Sequence, residues 1–134
     1  MTSNNDMGEQ ISKERTWMKK TFKTRTKKLA LAIIHQIEAL PKSVTADVIG
    51  RQLVRSGTSI GANHRAACRA KSTADMINKM KIVEEESGET EYWLELLVEA
   101  NLVPHDQIAP IYKETNEILA MTIASIKTLR NRKS

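Results

Sequence analysis

Apolar residues along this chain recur at three-and-four spacing in four separate stretches, the signature of helices that bury one face. The first runs from about Lys13 to Leu40, with Met18, Phe22, Leu29, Ile33, Ile37 and Leu40 in step. Pro41 ends it, because proline cannot continue a helix and restrains the residue before it. The second runs from about Thr45 to Lys71, with Ile49, Leu53, Ile60 and Ala67 on one face. Thr45 reads as its N-cap, and Asp47 sits where the helix dipole favours an acid. Gly57 and Gly61 are four apart on a shared stripe. A glycine inside a helix costs roughly 0.5 to 1 kcal/mol against alanine, so the pair predicts a close helix–helix approach.

The third stretch runs from about Thr73 to Asn101 and opens on Ser72-Thr73-Ala74-Asp75, a hydroxyl cap with a carboxylate three residues on. Met76, Met80, Val83, Ser87, Leu94 and Leu97 follow its core face, and Gly88 weakens its middle. The fourth begins after Pro104, at about residue 105, and runs to about 131. Ile108, Ile111, Thr115, Ile118, Thr122, Ile126 and Leu129 mark its buried face. Each helix is about 40 Å long at 1.5 Å per residue. Matched lengths and short connections, the tightest at Lys71-Ser72, predict an all-α fold: an antiparallel up-down-up-down four-helix bundle. Residues 1–12 are polar and read as a disordered leader to a single domain over 13–134.

Composition agrees with helices. Aromatics are only 4% of the chain, and the apolar content is mostly Ala, Ile, Leu, Met and Val. Cys68, the single cysteine, excludes an intramolecular disulfide and fits a reducing cytoplasm. Between Ala67 and Arg69 it reads as a small buried apolar residue in preference to a reactive thiol. No run approaches the roughly 20 apolar residues of a membrane span.

Charge changes the picture more. The net charge is only +5, but the antiparallel topology segregates it. Residues 1–28, 64–81 and 127–134 fall at one end and hold 17 of the 21 Lys and Arg against four acids, Asp6, Glu9, Glu14 and Asp75. The rest of the chain is acidic, with Glu84, Glu85, Glu86, Glu89, Glu91, Glu95 and Glu99 on the third helix alone. Lys19, Lys20, Lys23, Lys27, Lys28, Arg65, Arg69, Arg130 and Arg132 are the candidate polyanion contacts, since clustered cations neutralise phosphates and release counterions. The bland alternative is a solvated surface that serves solubility. Only Trp17 and Phe22 interleave with these cations, so contacts to the sugar-phosphate backbone are expected in place of base-specific readout.

Gln52, Arg55, Ser59 and Asn63 form a polar stripe on the second helix. Counting back from the tight turn sets Arg55 between Glu85 and Glu89. The stripe is read as a buried network that fixes helix register, with Arg55 paired to Glu85 or Glu89. It contains no nucleophile–base pair with an orienting third group, so no enzyme is read here. His35, His64 and His105 show no ligand spacing, and there is no Glu-x-x-His, Cys-x-x-Cys, P-loop or dinucleotide fingerprint. Neither a metal nor a cofactor is therefore expected.

The run Arg55-Ser56-Gly57-Thr58-Ser59-Ile60-Gly61-Ala62-Asn63 resembles the R-x-x-x-S-I-x-x-N signature of small four-helix-bundle proteins encoded in intervening sequences of bacterial 23S ribosomal RNA genes. Gln52 fits as well, and Glu89-Thr90-Glu91-Tyr92-Trp93-Leu94-Glu95-Leu96-Leu97 looks like the family's third helix. The resemblance spans roughly residues 20 to 130 and implies a cyclic homo-oligomer, typically a pentamer, from a family with no established enzyme activity. Accessory proteins of diversity-generating retroelements are similar in architecture: they form basic pentameric barrels that bind nucleic acid and a reverse transcriptase. Relatives usually carry a glutamate where this chain has Ala66, which removes any role that carboxylate plays. Surplus apolar positions at Tyr92, Trp93, Leu96, Leu97, Leu119 and Ile123 also point to self-association. The expected function is a homo-oligomeric scaffold that binds RNA or DNA with weak sequence specificity. The alternative is a protein–protein adaptor, for example to a reverse transcriptase.

Overall fold

The computed structural model describes the backbone of residues 4–133 and the side chains of residues 19–131. The described residues form four helices: α1 (Asn4–Glu38), α2 (Val44–Cys68), α3 (Thr73–Glu99) and α4 (His105–Lys133). Each packs on the next and α4 closes back on α1, while among the described residues no diagonal pair meets. This is the up-down-up-down four-helix bundle. Among the described residues the α1–α4 seam is the loosest of the four.

Several helix ends differ from the sequence expectation. α1 begins at Asn4, so residues 4–12 are helical where the pattern alone suggests a leader. That segment carries no proline, and Gly8 is its only poor helix former besides polar residues. Ser43, not Thr45, caps α2: its side chain accepts the amide of Ala46 at 3.1 Å. Ser72 caps α3 in the same way, through the amide of Asp75 at 3.1 Å. α3 ends in a Schellman turn. Asn101 adopts φ 60, its amide reaches the Val98 carbonyl at 3.0 Å, and the Leu102 amide reaches the Leu97 carbonyl at 3.0 Å. Pro110 lies inside α4 as its sixth residue, where it removes the amide that would donate to the Asp106 carbonyl.

The core follows the sequence pattern closely. Phe22, Leu29 and Ile33 of α1 are buried with Ile49, Leu53, Ile60 and Ala67 of α2. Met80, Val83, Leu94 and Leu97 of α3 join Ile108, Ile111, Ile118 and Ile126 of α4. Both predicted glycine contacts occur. A Cβ on Gly57 would lie 2.5 Å from the Ile33 Cδ1, and one on Gly61 would lie 3.2 Å from the Thr26 hydroxyl. These glycines bring α1 and α2 into close approach. The core also holds hydroxyls that the pattern does not flag, Thr26, Ser56 and Thr90. Thr90 donates to Ser56 across the α2–α3 interface at 2.9 Å, while the two side chains also contact carbonyls of their own helices.

Candidate nucleic-acid interface

Register decides which cations share an end. Phe22 of α1 stacks on the His64 ring of α2 at 4.3 Å between centroids, and Lys19 and Arg65 both act on that imidazole. Across the molecule, Lys81 of α3 and Lys127 and Arg130 of α4 line one groove. The start of α1, the end of α2, the start of α3 and the end of α4 therefore lie together, as an antiparallel bundle requires.

Lys19, Lys20, Lys23, Lys27, Lys28, Arg69 and Arg130 are exposed, and Arg65 is half-buried. The side chain of Arg132 lies outside the described residues, as does that of Trp17. Among the described residues, no acid lies within ion-pair distance of these cations; the ion pairs there involve Arg25, Arg51 and Arg55. Phe22 is buried beneath His64 and offers no stacking platform.

Arg25 departs from its neighbours on α1. It donates from Nε to Glu114 at 3.0 Å, pairs again with Glu114 through Nη2, and reaches Glu117 at 2.8 Å. The Glu114 hydrogen bond, the strongest influence, holds the guanidinium pKa above its ordinary value. The same contact holds the Glu114 carboxyl below its ordinary value. Sequence counting assigns Arg25 to the free cationic end, because nothing linear places residue 114 beside residue 25.

The polar stripe on α2 is not buried as expected. The Arg55 side chain is 47% exposed and pairs with Glu89 at 2.6 Å and Glu86 at 3.2 Å. Glu85 is exposed and takes no part. The core line of α2 runs through Leu53, Ser56, Gly57 and Ile60, so residues 52, 55, 59 and 63 fall beside it. The Arg55 Nε approaches the Gln52 Oε1 at 3.5 Å, and Trp93 Nε1 donates to Glu89 at 3.3 Å. Asn63 donates to the Ser59 carbonyl at 2.9 Å, a bond within one helix. Ser59 and Asn63 are thus separate from the Arg55–Glu89 cluster, and the hydroxyl that crosses between helices belongs to Ser56.

Two further departures concern α2 and the surplus apolar positions. Cys68 is half-buried, and its Sγ lies 3.7 Å from His64 Nε2. His64 Nδ1 is buried without a hydrogen-bond partner. Burial first, then the charges of Arg65 and Lys19, lowers the imidazole pKa to about 4. Leu97 belongs to the core, Trp93 and Leu96 pack against it, and only Tyr92 and Ile123 of the surplus set are exposed, at 53% and 49%. Among the described residues no cluster of three His, Cys, Asp or Glu could hold a metal, and no helix is long and apolar enough to cross a membrane.

These surfaces define a small helical bundle with exposed, segregated charge. The chain belongs to the 23S rRNA-intervening sequence protein family, whose model matches residues 19–124. It is similar to a protein of unknown function from the S23 ribosomal protein family of Bacteroides thetaiotaomicron VPI-5482, solved at 1.70 Å. The two share 38% identity and a TM-score of 0.76, over 81% of this chain and 97% of that one. No curated protein matches the chain.

Proposed function

We propose that the protein is a non-enzymatic, homo-oligomeric helical scaffold that binds the backbone of RNA or DNA through its basic end. The observation that carries this reading is the contrast between two sets of cations. Arg25, Arg51 and Arg55 are occupied by carboxylates of the same chain, whereas Lys19, Lys20, Lys23, Lys27, Lys28 and Arg130 stand exposed with no acid in ion-pair range among the described residues. Cations left open in this way are available to phosphates. The resemblance to the retroelement accessory proteins supports assembly into a ring, most simply five-fold, which would repeat the field around its axis. Exposed Val44, Val48, Leu31 and Tyr92 supply apolar surface for such contacts.

The test is binding of a fluorescent RNA oligonucleotide followed by anisotropy across a salt series, beside light scattering. Binding should weaken as salt rises, with a slope of about −0.7 per phosphate neutralised on a single strand. Replacing Lys19, Lys20 and Lys23 with glutamine should lower affinity and flatten that slope. Absence of salt-dependent binding would reject the reading, and a mass of 15.1 kDa in solution would reject the ring.

One observation favours the adaptor alternative. The outer side of α3 carries exposed Tyr92 beside Glu85, Glu95 and Glu99, a surface suited to a basic protein such as a reverse transcriptase. Under that alternative the lysine replacements leave partner binding unchanged.

A further inference from the structure

The sequence alone centres the basic end on α1. The structure contains a more defined feature at that end, a groove between α3 and α4. Lys81 of α3 and Lys127 and Arg130 of α4 line it, with Ile123 and Ile126 also contributing. Ile126 is buried at 4% exposure, while Ile123 is 49% exposed and leaves an aliphatic face open among the cations. Glu84 also lines the groove, so the side chains around it carry a net positive charge. Among the described residues, no carboxylate lies within ion-pair distance of Lys81, Lys127 or Arg130.

Three cations around an open aliphatic surface match a particular ligand chemistry. The cations suit a phosphodiester, and the isoleucine suits the flat apolar face of an unpaired base. A duplex turns its phosphates and sugars outward and keeps its base faces stacked inside, so it can use the cations but not Ile123. A single strand can use both. We propose that the α3–α4 groove seats one unpaired nucleotide of a single-stranded nucleic acid, its phosphate held by Lys81, Lys127 and Arg130 and its base lying on Ile123. This assignment rests on the polyanion-binding reading and narrows it to one groove and one strand state. Lys81 and Lys127 then join the binding residues, and Glu84 acts as a restraint on affinity. An isoleucine does not distinguish one base from another by hydrogen bonding, so sequence preference is weak.

The experiment uses the full chain and a fluorescein-labelled oligouridine, with anisotropy read over a salt series. Lys81, Ile123 and Lys127 are exposed and Glu84 is half-buried, so circular dichroism serves as the check that each variant folds. Lys81→Gln with Lys127→Gln should weaken binding and reduce the magnitude of the salt slope by up to about 0.7, the share of the one phosphate the groove holds. Glu84→Gln should tighten binding severalfold. Ile123→Ala should weaken it severalfold with the slope unchanged, because an isoleucine side chain releases no counterions. A duplex of equal length, which can use the cations alone, should bind the Ile123→Ala variant as it binds the unaltered protein.

Other outcomes separate the groove from the wider function. Normal binding by the Lys81/Lys127 variant, together with weakened binding in the Lys19/Lys20/Lys23 variant, would overturn the groove and leave the basic-end function standing. An Ile123→Ala variant with unchanged affinity for oligouridine, or one that loses affinity for duplex to the same extent, would overturn the unpaired-nucleotide assignment. No binding of oligouridine by the unaltered protein at low salt would overturn the groove and the function together.

Discussion

Arg25 of α1 clasps Glu114 of α4 through two nitrogens, one contact running from Nε to Oε2 at 3.0 Å, and Glu117 adds a third at 2.8 Å. The pair bridges the α1–α4 seam, where Gln36 also donates to Gln107 at 3.1 Å. It removes Arg25 from the cations that can meet a phosphate. Arg25→Gln should therefore leave nucleic-acid affinity nearly unchanged while speeding amide hydrogen exchange along the first half of α4. Exchange as slow as in the unaltered protein would show that the seam does not depend on this pair. Glu114 is held below its ordinary carboxyl pKa, so its contribution is present above the unfolded value of 4.5 and is lost as pH falls through the lower folded value.

Arg55 sits in the family-like motif, yet its exposure limits what it contributes to stability. A half-exposed pair is worth on the order of 1 kcal/mol or less, against roughly 3 to 5 kcal/mol for breaking a buried one. Arg55→Ala should thus lower unfolding free energy by about 1 kcal/mol or less in a denaturant titration. A decrease several times larger would mean that assembly buries the guanidinium.

Two glycines make opposite predictions. Gly88 is exposed, and a Cβ there meets nothing within 4 Å, so Gly88→Ala should stabilise the protein by roughly 0.5 to 1 kcal/mol through helix propensity. A Cβ on Gly57 would lie 2.5 Å from the Cδ1 of Ile33, so that fully buried side chain would have to shift. Overpacking of this kind costs roughly 1 to 3 kcal/mol, which outweighs the propensity gain. Thermal melts of the two variants should move in opposite directions. A rise in both would show that α1 can retreat from α2.

His64 predicts a pH dependence. Its folded pKa is about 4 against 6.5 when unfolded, so between those values the unfolded chain binds the extra proton. Stability therefore falls as pH drops from 6.5 toward 4, by up to about 1.4 kcal/mol per unit, and is insensitive to this group above that window. His64→Gln should remove this component, leaving the slope set by the other titrating groups. Identical slopes for the two proteins between pH 6.5 and 4 would contradict the buried neutral ring.

Periodicity alone determined the four helices and most of their buried faces, because a helix repeats every 3.6 residues and a core must lie along one side of it. Leu53, Val83, Leu94 and Ile118 are read correctly from spacing and are fully buried. The close approaches at Gly57 and Gly61 are equally legible, since a small residue inside a helix has a cost that packing must offset. What spacing does not carry is rotation by a single residue and contact between distant segments. Arg55 lies one position away from Ser56, and that step of about 100° separates a half-exposed ion pair from a buried hydroxyl bonded to Thr90. Arg25 and Glu114 are 89 residues apart, and only the closure of α4 onto α1 makes them partners. The packing of α4 against α3 likewise brings Lys127 and Arg130 beside Lys81. Which cations stay open to a ligand is thus a property of the packed bundle, because a charge is neutralised by whatever stands within a few ångströms of it, regardless of chain distance.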